Sequence, residues 1–387
     1  VITQPSQAAA PKVRVMLCDD SSTVRSVFAR LLETDPSVQV VARAGDGRQA
    51  LEALRAMSPE TRPHVVLLDL EMPVMDGMTA LPLLLKAQPG LAVIVASALT
   101  QRGAEATMAA MRAGAADYVP KPSAATGGMN DPTFRADLLA KVKGWARMRG
   151  GNAERPASPR APLRPAPARP AAAQPAAPAR ATYGLRRQPR LLAIGSSTGG
   201  PQALAAFVRR LTTPVPVPIV VVQHMPAGFT AMLADHLARL NGPAAAEAKD
   251  GETLRAGRIY VAPGDRHLLV ESGAGGLVAR LNSDPPENFC RPAVDPMLRS
   301  AAAACEGRVL AVILTGMGQD GMLGCKAVAA GGGMVLAQDE ASSVVWGMPG
   351  AVAKAGLAEA LLPPEQLAER VLAQFGAAGL TVAGGLA

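Results

Sequence analysis

The chain of 387 residues is 49% hydrophobic, 3% aromatic and formally charged +8, with a pI near 9.7; it is long enough for two or three domains, each with its own core. Between Arg149 and Arg190 nine arginines face the single acid Glu154, so this stretch carries the whole excess charge, and with Tyr183 its single aromatic residue it does not read as a nucleic-acid surface. Cys18, Cys290, Cys305 and Cys325 show no C-x-x-C spacing, and no secretory signal or apolar run of about 18 residues is present. The expectation is a cytoplasmic, non-membrane-inserted protein whose cysteines are small core or surface residues, opening at Val1 as a processed or trimmed chain does.

After an N-terminal tail (1–11), the segment 12–147 alternates apolar runs with helical patterns. VRVMLCDD precedes a helix from Ser22 to Glu33, VQVVARAGD precedes one near Arg48 to Met57, and HVVLLDL, LAVIVASAL and ADYVPKP follow. Such alternation predicts a doubly wound parallel sheet with functional groups at the carboxyl ends of its strands. There stand Asp19 and Asp20, Asp69, Ser97 and Lys121. Three carboxylates gathered at neighbouring strand ends repel one another unless a hard divalent cation sits among them, which points to Mg²⁺.

CDDS, LLDLEMPVMDG, ASAL and YVPKP fall in the order of the response-regulator receiver family, which residues 12–145 resemble. The resemblance implies a flavodoxin-like fold in which Asp69 accepts a phosphoryl group from a histidine kinase. It also implies that Asp20, Asp69 and the Glu71 carbonyl hold Mg²⁺ with help from Asp19, that Ser97 and Lys121 contact the phosphoryl oxygens, and that Tyr118 is the aromatic switch.

From 148 to 189 the composition collapses to Pro, Ala and Arg, which cannot bury a core and predicts a disordered linker. Roughly 40 residues reach about 120 Å as polyproline or average about 35 Å as a coil, so either regime lets the flanking domains touch.

The segment 190–378, followed by a tail (379–387), brings LLAIGSS, PIVVVQH, GRIYVAP, HLLVESG, GLVARLN, AVILTGM and GMVLAQD, again several with following helices. A second doubly wound, Rossmann-like parallel sheet is expected, with an antiparallel insertion or edge over Arg258–Leu281. Serine nucleophiles need a base, and the base an orienting carboxylate. Three strand ends offer such a set: the Ser196–Ser197 pair in SSTGG, His224 after VVVQ, and Asp320 in the glycine-rich TGMGQDG. His236 reads as a mid-helix surface or packing residue and His267 as a second-tier base. SSTGG lacks G-x-G-x-x-G, the P-loop lysine and the G-x-S-x-G elbow, so neither nucleotide binding nor an ordinary α/β-hydrolase follows.

IGSSTGGPQAL, VVQHMPAGFT, IYVAPGDRHL, FCRPAVDPML, VILTGMGQDGM and QDEASSVVWGMPGAV together resemble the catalytic domain of the chemotaxis protein-glutamate methylesterases, the CheB family. The resemblance implies Ser197 as nucleophile, His224 as base and Asp320 as orienting acid, with amides near Thr198 and Met317 forming an oxyanion hole and no cofactor for the ester chemistry. It implies chemoreceptors as substrates, demethylated at glutamyl methyl esters and deamidated at glutamines. Arg291 and Asp295 either shape a substrate groove or form a structural ion pair or cap. Ala293 and Gln319 depart from residues common in the family and touch only fine substrate contacts. The order receiver, linker, esterase leads to the expectation of a monomer whose unphosphorylated receiver docks near Ser197 and obstructs it. The competing reading is a non-enzymatic response regulator whose second half binds a nucleotide or a partner protein.

Overall fold

The computed structural model describes residues 12–98, 100–121, 131–150, 188–240 and 242–376; the expected linker core and both tails lie outside these residues. The first sheet contains β1 (Val13–Cys18), β2 (Val38–Ala44), β3 (Val65–Asp69), β4 (Ala92–Ser97) and β5 (Asp117–Pro120), all parallel in the order β2-β1-β3-β4-β5. Its helices are α1 (Ser22–Leu32), α2 (Gly47–Ala56), α3 (Gly77–Ala87), α4 (Gln101–Arg112) and α5 (Pro132–Gly150). Every residue of β3 and β4 is buried, which is why these strands read as unbroken apolar runs: helices cover both faces of a parallel sheet. Side chains of Ser21, Asp46, Asp76 and Thr100 cap the first four helices, as short polar residues do just before a helix begins.

The second sheet is also parallel, in the order β14-β13-β12-β6-β7-β9-β8. Its strands are β6 (Leu191–Ser196), β7 (Ile219–Gln223), β8 (Ala244–Glu247), β9 (Arg258–Val261), β12 (Val309–Ile313), β13 (Met334–Gln338) and β14 (Ala360–Leu362). Around it pack α6 (Gly200–Arg210), α7 (Phe229–Ala238), α8 (Val294–Ala304), α9 (Met322–Ala330), α10 (Met348–Lys354) and α11 (Pro364–Gly376). The antiparallel element is smaller than expected: only β10 (His267–Gly273) and β11 (Gly276–Asn282) form the hairpin. Arg258–Val261 belongs instead to the parallel sheet beside β7, its IYV fully buried, with Ile259 and Val261 in the apolar cluster that holds α7 and Tyr260 in the one that holds the hairpin strands.

In each sheet the first strand has the next strand on one side and a later crossover on the other. This reversal opens a crevice at the strands' carboxyl ends, β1/β3 in the first sheet and β6 between β7 and β12 in the second. The two halves also meet. Helices α4 and α7 pack together, and one apolar cluster runs through both halves, with the Tyr118 ring stacked on Phe229 at 5.2 Å.

Candidate active site

β6, β7 and β12 are neighbours, so the residues just past their carboxyl ends converge. Gly199 takes a left-handed φ of 75° as α6 begins, a turn that a side-chain-bearing residue enters only at a cost. At Gly316 a Cβ would stand 2.3 Å from the Met348 sulfur and 2.8 Å from the Ser197 Cβ, so the TGMGQDG loop presses directly on the serine turn.

The two serines have different surroundings. Ser196 is fully buried and donates to Gln223 Oε1 at 2.7 Å. Ser197 is partly exposed, its hydroxyl has no bonded partner among the described residues, and it lines a cleft of about 660 Å³ together with His224. Gln223, which sequence reasoning passed over, clamps the turn from β7: its Nε2 donates to the carbonyls of Ser197 (2.9 Å) and His224 (3.3 Å). Thr315 supports the other side, donating through Oγ1 to the Thr198 carbonyl at 3.0 Å. The amides of Thr198 and Met317, both on the cleft, find no partner among the described residues.

His224 Nε2 lies 2.8 Å from Asp320 Oδ2. Asp320 accepts four further bonds, from the amides of Val294 (2.6 Å), Asp295 (3.0 Å) and Gly321 (2.9 Å) and from Asn288 Nδ2 (3.0 Å). Val294 and Asp295 open α8, so the helix's positive end faces the carboxylate. Burial opposes ionisation of Asp320, but His224 and these amides hold its carboxyl below the usual value. Burial likewise opposes charge on His224; Cys290 and Asp320 more than offset it, and the imidazole is lifted to about 10.

The ring nitrogen not taken by Asp320 is Nδ1, and Cys290 Sγ sits 3.4 Å from it. The expectation of an unremarkable core or surface cysteine is therefore corrected at Cys290. The departure comes from the loop before it, where Asn288 and Phe289 both take left-handed backbone and swing the thiol onto the ring; nothing in NFC announces that geometry.

His267 does not line the cleft that Ser197 and His224 share. It is buried, accepting from the Ala293 amide through Nδ1 with Nε2 against the Pro285 carbonyl. His236 packs in α7 and is buried. Arg291 does reach the cleft, but its guanidinium is engaged by Asp265 and by the Ser283 and Asp284 carbonyls. Asp295 turns inward, accepting from Gly324 N at the start of α9 (2.6 Å) and from Asn288 (3.1 Å). Both are loop and helix supports.

At the other crevice, Asp19, Asp20 and Asp69 bring carboxylate oxygens within 4.8 Å of one another. Lys121 Nζ lies 2.7 Å from Asp69 Oδ2 and 3.0 Å from Asp19 Oδ2. These two buried oxygens accept no well-directed hydrogen bond, so the ammonium is their compensation among the described residues. Burial raises the Asp69 carboxyl and nearby Asp19 adds to it, with Lys121 pulling the other way. Such a cluster of hard oxygen donors with unsatisfied lone pairs fits a small divalent cation. The Glu71 amide donates to Asp69 Oδ1 at 3.3 Å. Ser97 is turned toward α4, donating to the Gly103 carbonyl at 3.0 Å.

The cleft's second wall comes from the first half: Tyr118, Phe134 and Asp137 line it opposite Ser197. Asp137 accepts from Thr198 Oγ1 at 2.9 Å and pairs with Lys141 at 2.9 Å. Asp117 Oδ2 accepts both the Gly199 amide (3.0 Å) and Trp145 Nε1 (3.2 Å). Gln202 donates to the Ala115 carbonyl at 2.7 Å, and Arg147 reaches the carbonyls of Ser343 and Val344.

Residues 192–371 match the CheB methylesterase family and residues 15–129 the response regulator receiver domain. The chain is 50% identical over 379 residues to protein-glutamate methylesterase/protein-glutamine glutaminase 1 of Paramagnetospirillum magneticum, a match covering 96% of this chain and 98% of that one. A similarly named protein of Azospirillum brasilense is 50% identical over 378 residues, covering 93% and 92%. The crystal structure of the CheB methylesterase catalytic domain of Thermotoga maritima, 42% identical, covers 48% of this chain and 98% of that chain at a TM-score of 0.47.

Proposed function

Because the chain belongs to the protein-glutamate methylesterase/protein-glutamine glutaminase family, with a receiver domain ahead of its methylesterase domain, we propose that it demethylates glutamyl methyl esters and deamidates glutamines on chemoreceptors under control of phosphorylation at Asp69. The observation that carries the chemistry is the Asp320–His224 pair opening onto the cleft beside Ser197.

Ser197 Oγ attacks the side-chain carbonyl of the ester while His224 takes its proton. With Nε2 held by Asp320, that proton goes to Nδ1. Negative charge develops on the former carbonyl oxygen, where the Thr198 and Met317 amides would receive it; losing one such donor typically costs about 10²–10³ in rate. His224 then protonates the departing methoxide, and methanol leaves. Water, deprotonated by the same nitrogen, releases the glutamate; with glutamine as substrate the leaving group is ammonia. Asp320 stays ionised throughout, because its five donors favour the carboxylate.

The division into receiver (12–147), linker (148–189) and methylesterase domain (190–378) is our reading of the two sheets. In the receiver, a histidine kinase would supply the phosphoryl group to Asp69, with Asp19, Asp20, Asp69 and the Glu71 carbonyl holding Mg²⁺. When bound, Mg²⁺ offsets the charge of carboxylates and phosphoryl oxygens at the attacking atom. Lys121 already touches Asp69, and Ser97 would exchange the Gly103 carbonyl for a phosphoryl oxygen. Tyr118, stacked on Phe229, and Asp137, bonded to Thr198, support the view that this receiver obstructs the cleft until phosphorylation weakens docking. No helix among the described residues is long and apolar enough to cross a membrane, in keeping with work on receptor tails from the cytoplasm.

The test is methanol release from methylated receptor. Ser197→Ala should lower it by about 10³-fold or more, whereas Ser196→Ala should act mainly through stability. Equal activity of Ser197→Ala and the parent protein would sink the hydrolase reading.

A further inference from the structure

We propose that Cys290 is a peroxide-reactive thiol whose oxidation switches off the neighbouring hydrolytic site. The reading of that site as a hydrolase is the one given above, and the thiol's reactivity can be tested without it. Three features set Cys290 apart.

First, it is the one partly exposed cysteine among the four: Cys18, Cys305 and Cys325 are buried, and burial in each case pushes the thiol up, to about 12 for Cys18 and about 11 for Cys305. Reaction with peroxide needs both access and thiolate character, so those three are protected on both counts. Second, Cys290 opens onto the same cleft as Ser197, which gives a small oxidant a way in. Third, its sulfur lies 3.4 Å from His224 Nδ1 while Nε2 is committed to Asp320. Sulfur, imidazole and carboxylate thus form a Cys–His–Asp relay, the arrangement that generates a thiolate in cysteine nucleophiles.

Nδ1 is also the atom Ser197 needs. The thiol and the serine hydroxyl compete for one acceptor, so chemistry at sulfur is read out at the ester site.

His224 Nδ1 takes the thiol proton, and the thiolate attacks one oxygen of hydrogen peroxide. The S–O bond forms as the O–O bond breaks; sulfur loses two electrons and the peroxide gains them. The departing hydroxide takes the proton from the imidazolium and leaves as water, giving a sulfenic acid beside neutral His224. Its S–OH group now fills the space next to Nδ1 and donates to it, which withholds the base from Ser197. A thiol reductant reverses the change through a mixed disulfide.

The experiment uses the full chain treated with hydrogen peroxide in the presence of dimedone, with adduct mapping by peptide mass spectrometry, in the parent protein and in His224→Ala. The adduct is expected on Cys290, absent from Cys18, Cys305 and Cys325, and much reduced in His224→Ala. In parallel, methanol release is followed without dimedone, each protein being compared with its own untreated sample. The parent should lose activity by about tenfold or more and regain it with dithiothreitol, while Cys290→Ser and Cys290→Ala should lose less than about twofold. No adduct on Cys290 of the parent, or equal fractional inactivation of the parent and both Cys290 variants, overturns the proposal. Untreated parent that releases no methanol defeats the hydrolase reading instead, and the adduct map still decides whether the relay activates the thiol.

Discussion

Asp69 and Asp320 are both buried carboxylates at the carboxyl edge of a parallel sheet, each beside the strand where the winding reverses, yet the structure treats them oppositely. Asp320 is met by five N–H donors, two of them the opening amides of α8, and its carboxyl is held down. Asp69 shares its crevice with Asp19 and has chiefly one lysine to compensate it, and its carboxyl is pushed up. The fold supplies the position in both cases; the donors supplied by the local loops decide whether the group is a fixed anion or a reactive one. A hydrogen-bonded carboxylate can orient a histidine without being consumed, whereas an under-satisfied oxygen is free to bind a cation or accept a phosphoryl group.

Substituting the two acids probes the contrast most severely. Asp320→Asn should cost about 10³–10⁴ in kcat for methanol release, because an amide cannot favour the imidazolium or fix the tautomer. Loss of less than about tenfold would mean that the donors around Asp320 serve packing rather than catalysis. Asp69→Asn should instead remove the stimulation by a small phosphodonor with Mg²⁺, a coupling expected at about 5–150-fold; stimulation surviving the change would place control elsewhere.

A milder test separates the halves without touching either acid. Arg147→Ala removes the bonds from α5 to the Ser343 and Val344 carbonyls. If the docked receiver restrains the esterase, unstimulated methanol release should rise about 2–10-fold, the equivalent of losing one or two such bonds. A decrease would contradict restraint.

The smallest effect concerns pH. His224 is raised to about 10 by Cys290 and Asp320 against the opposing effect of burial. A base works unprotonated, so kcat/KM should climb with pH along a limb displaced above the ordinary histidine range near 6.5. Cys290→Ser should bring that limb down. For stability the sign is the reverse: a raised folded-state value means the protonated ring stabilises the fold fully below about 6.5, and the contribution fades as pH rises toward 10. Thermal melts of the parent against His224→Gln should therefore converge with rising pH; a gap that widens would show that the ring is held neutral.

Most of the frame was legible because parallel strands buried on both faces write themselves as short apolar runs, as VVLLD and VLAVI do. The strands that escaped notice are AAAE and ALL, at the two edges of the second sheet, where alanine and shortness remove the signal. Residues standing at strand ends, Ser197, His224, Asp320 and Asp69, were visible for the same reason that the strands were. What distinguishes Ser197 from Ser196 lies beyond local pattern: Gln223, on the neighbouring strand, accepts the buried Ser196 hydroxyl, while Ser197 opens onto the cleft. Asn288 and Cys290 were invisible, since they reach the site through two successive left-handed residues that carry side chains, a conformation sequence does not advertise.

The shared acceptor Asp117 has a practical side. The chain holds only two tryptophans, and Trp145 hands its indole proton to the same carboxylate oxygen that receives the Gly199 amide. Parting the domains strips one donor from that oxygen and lets water in beside the indole. In a Trp346→Phe background the native emission of Trp145 becomes an intrinsic optical gauge of domain separation, readable in a stopped-flow cuvette without any attached dye.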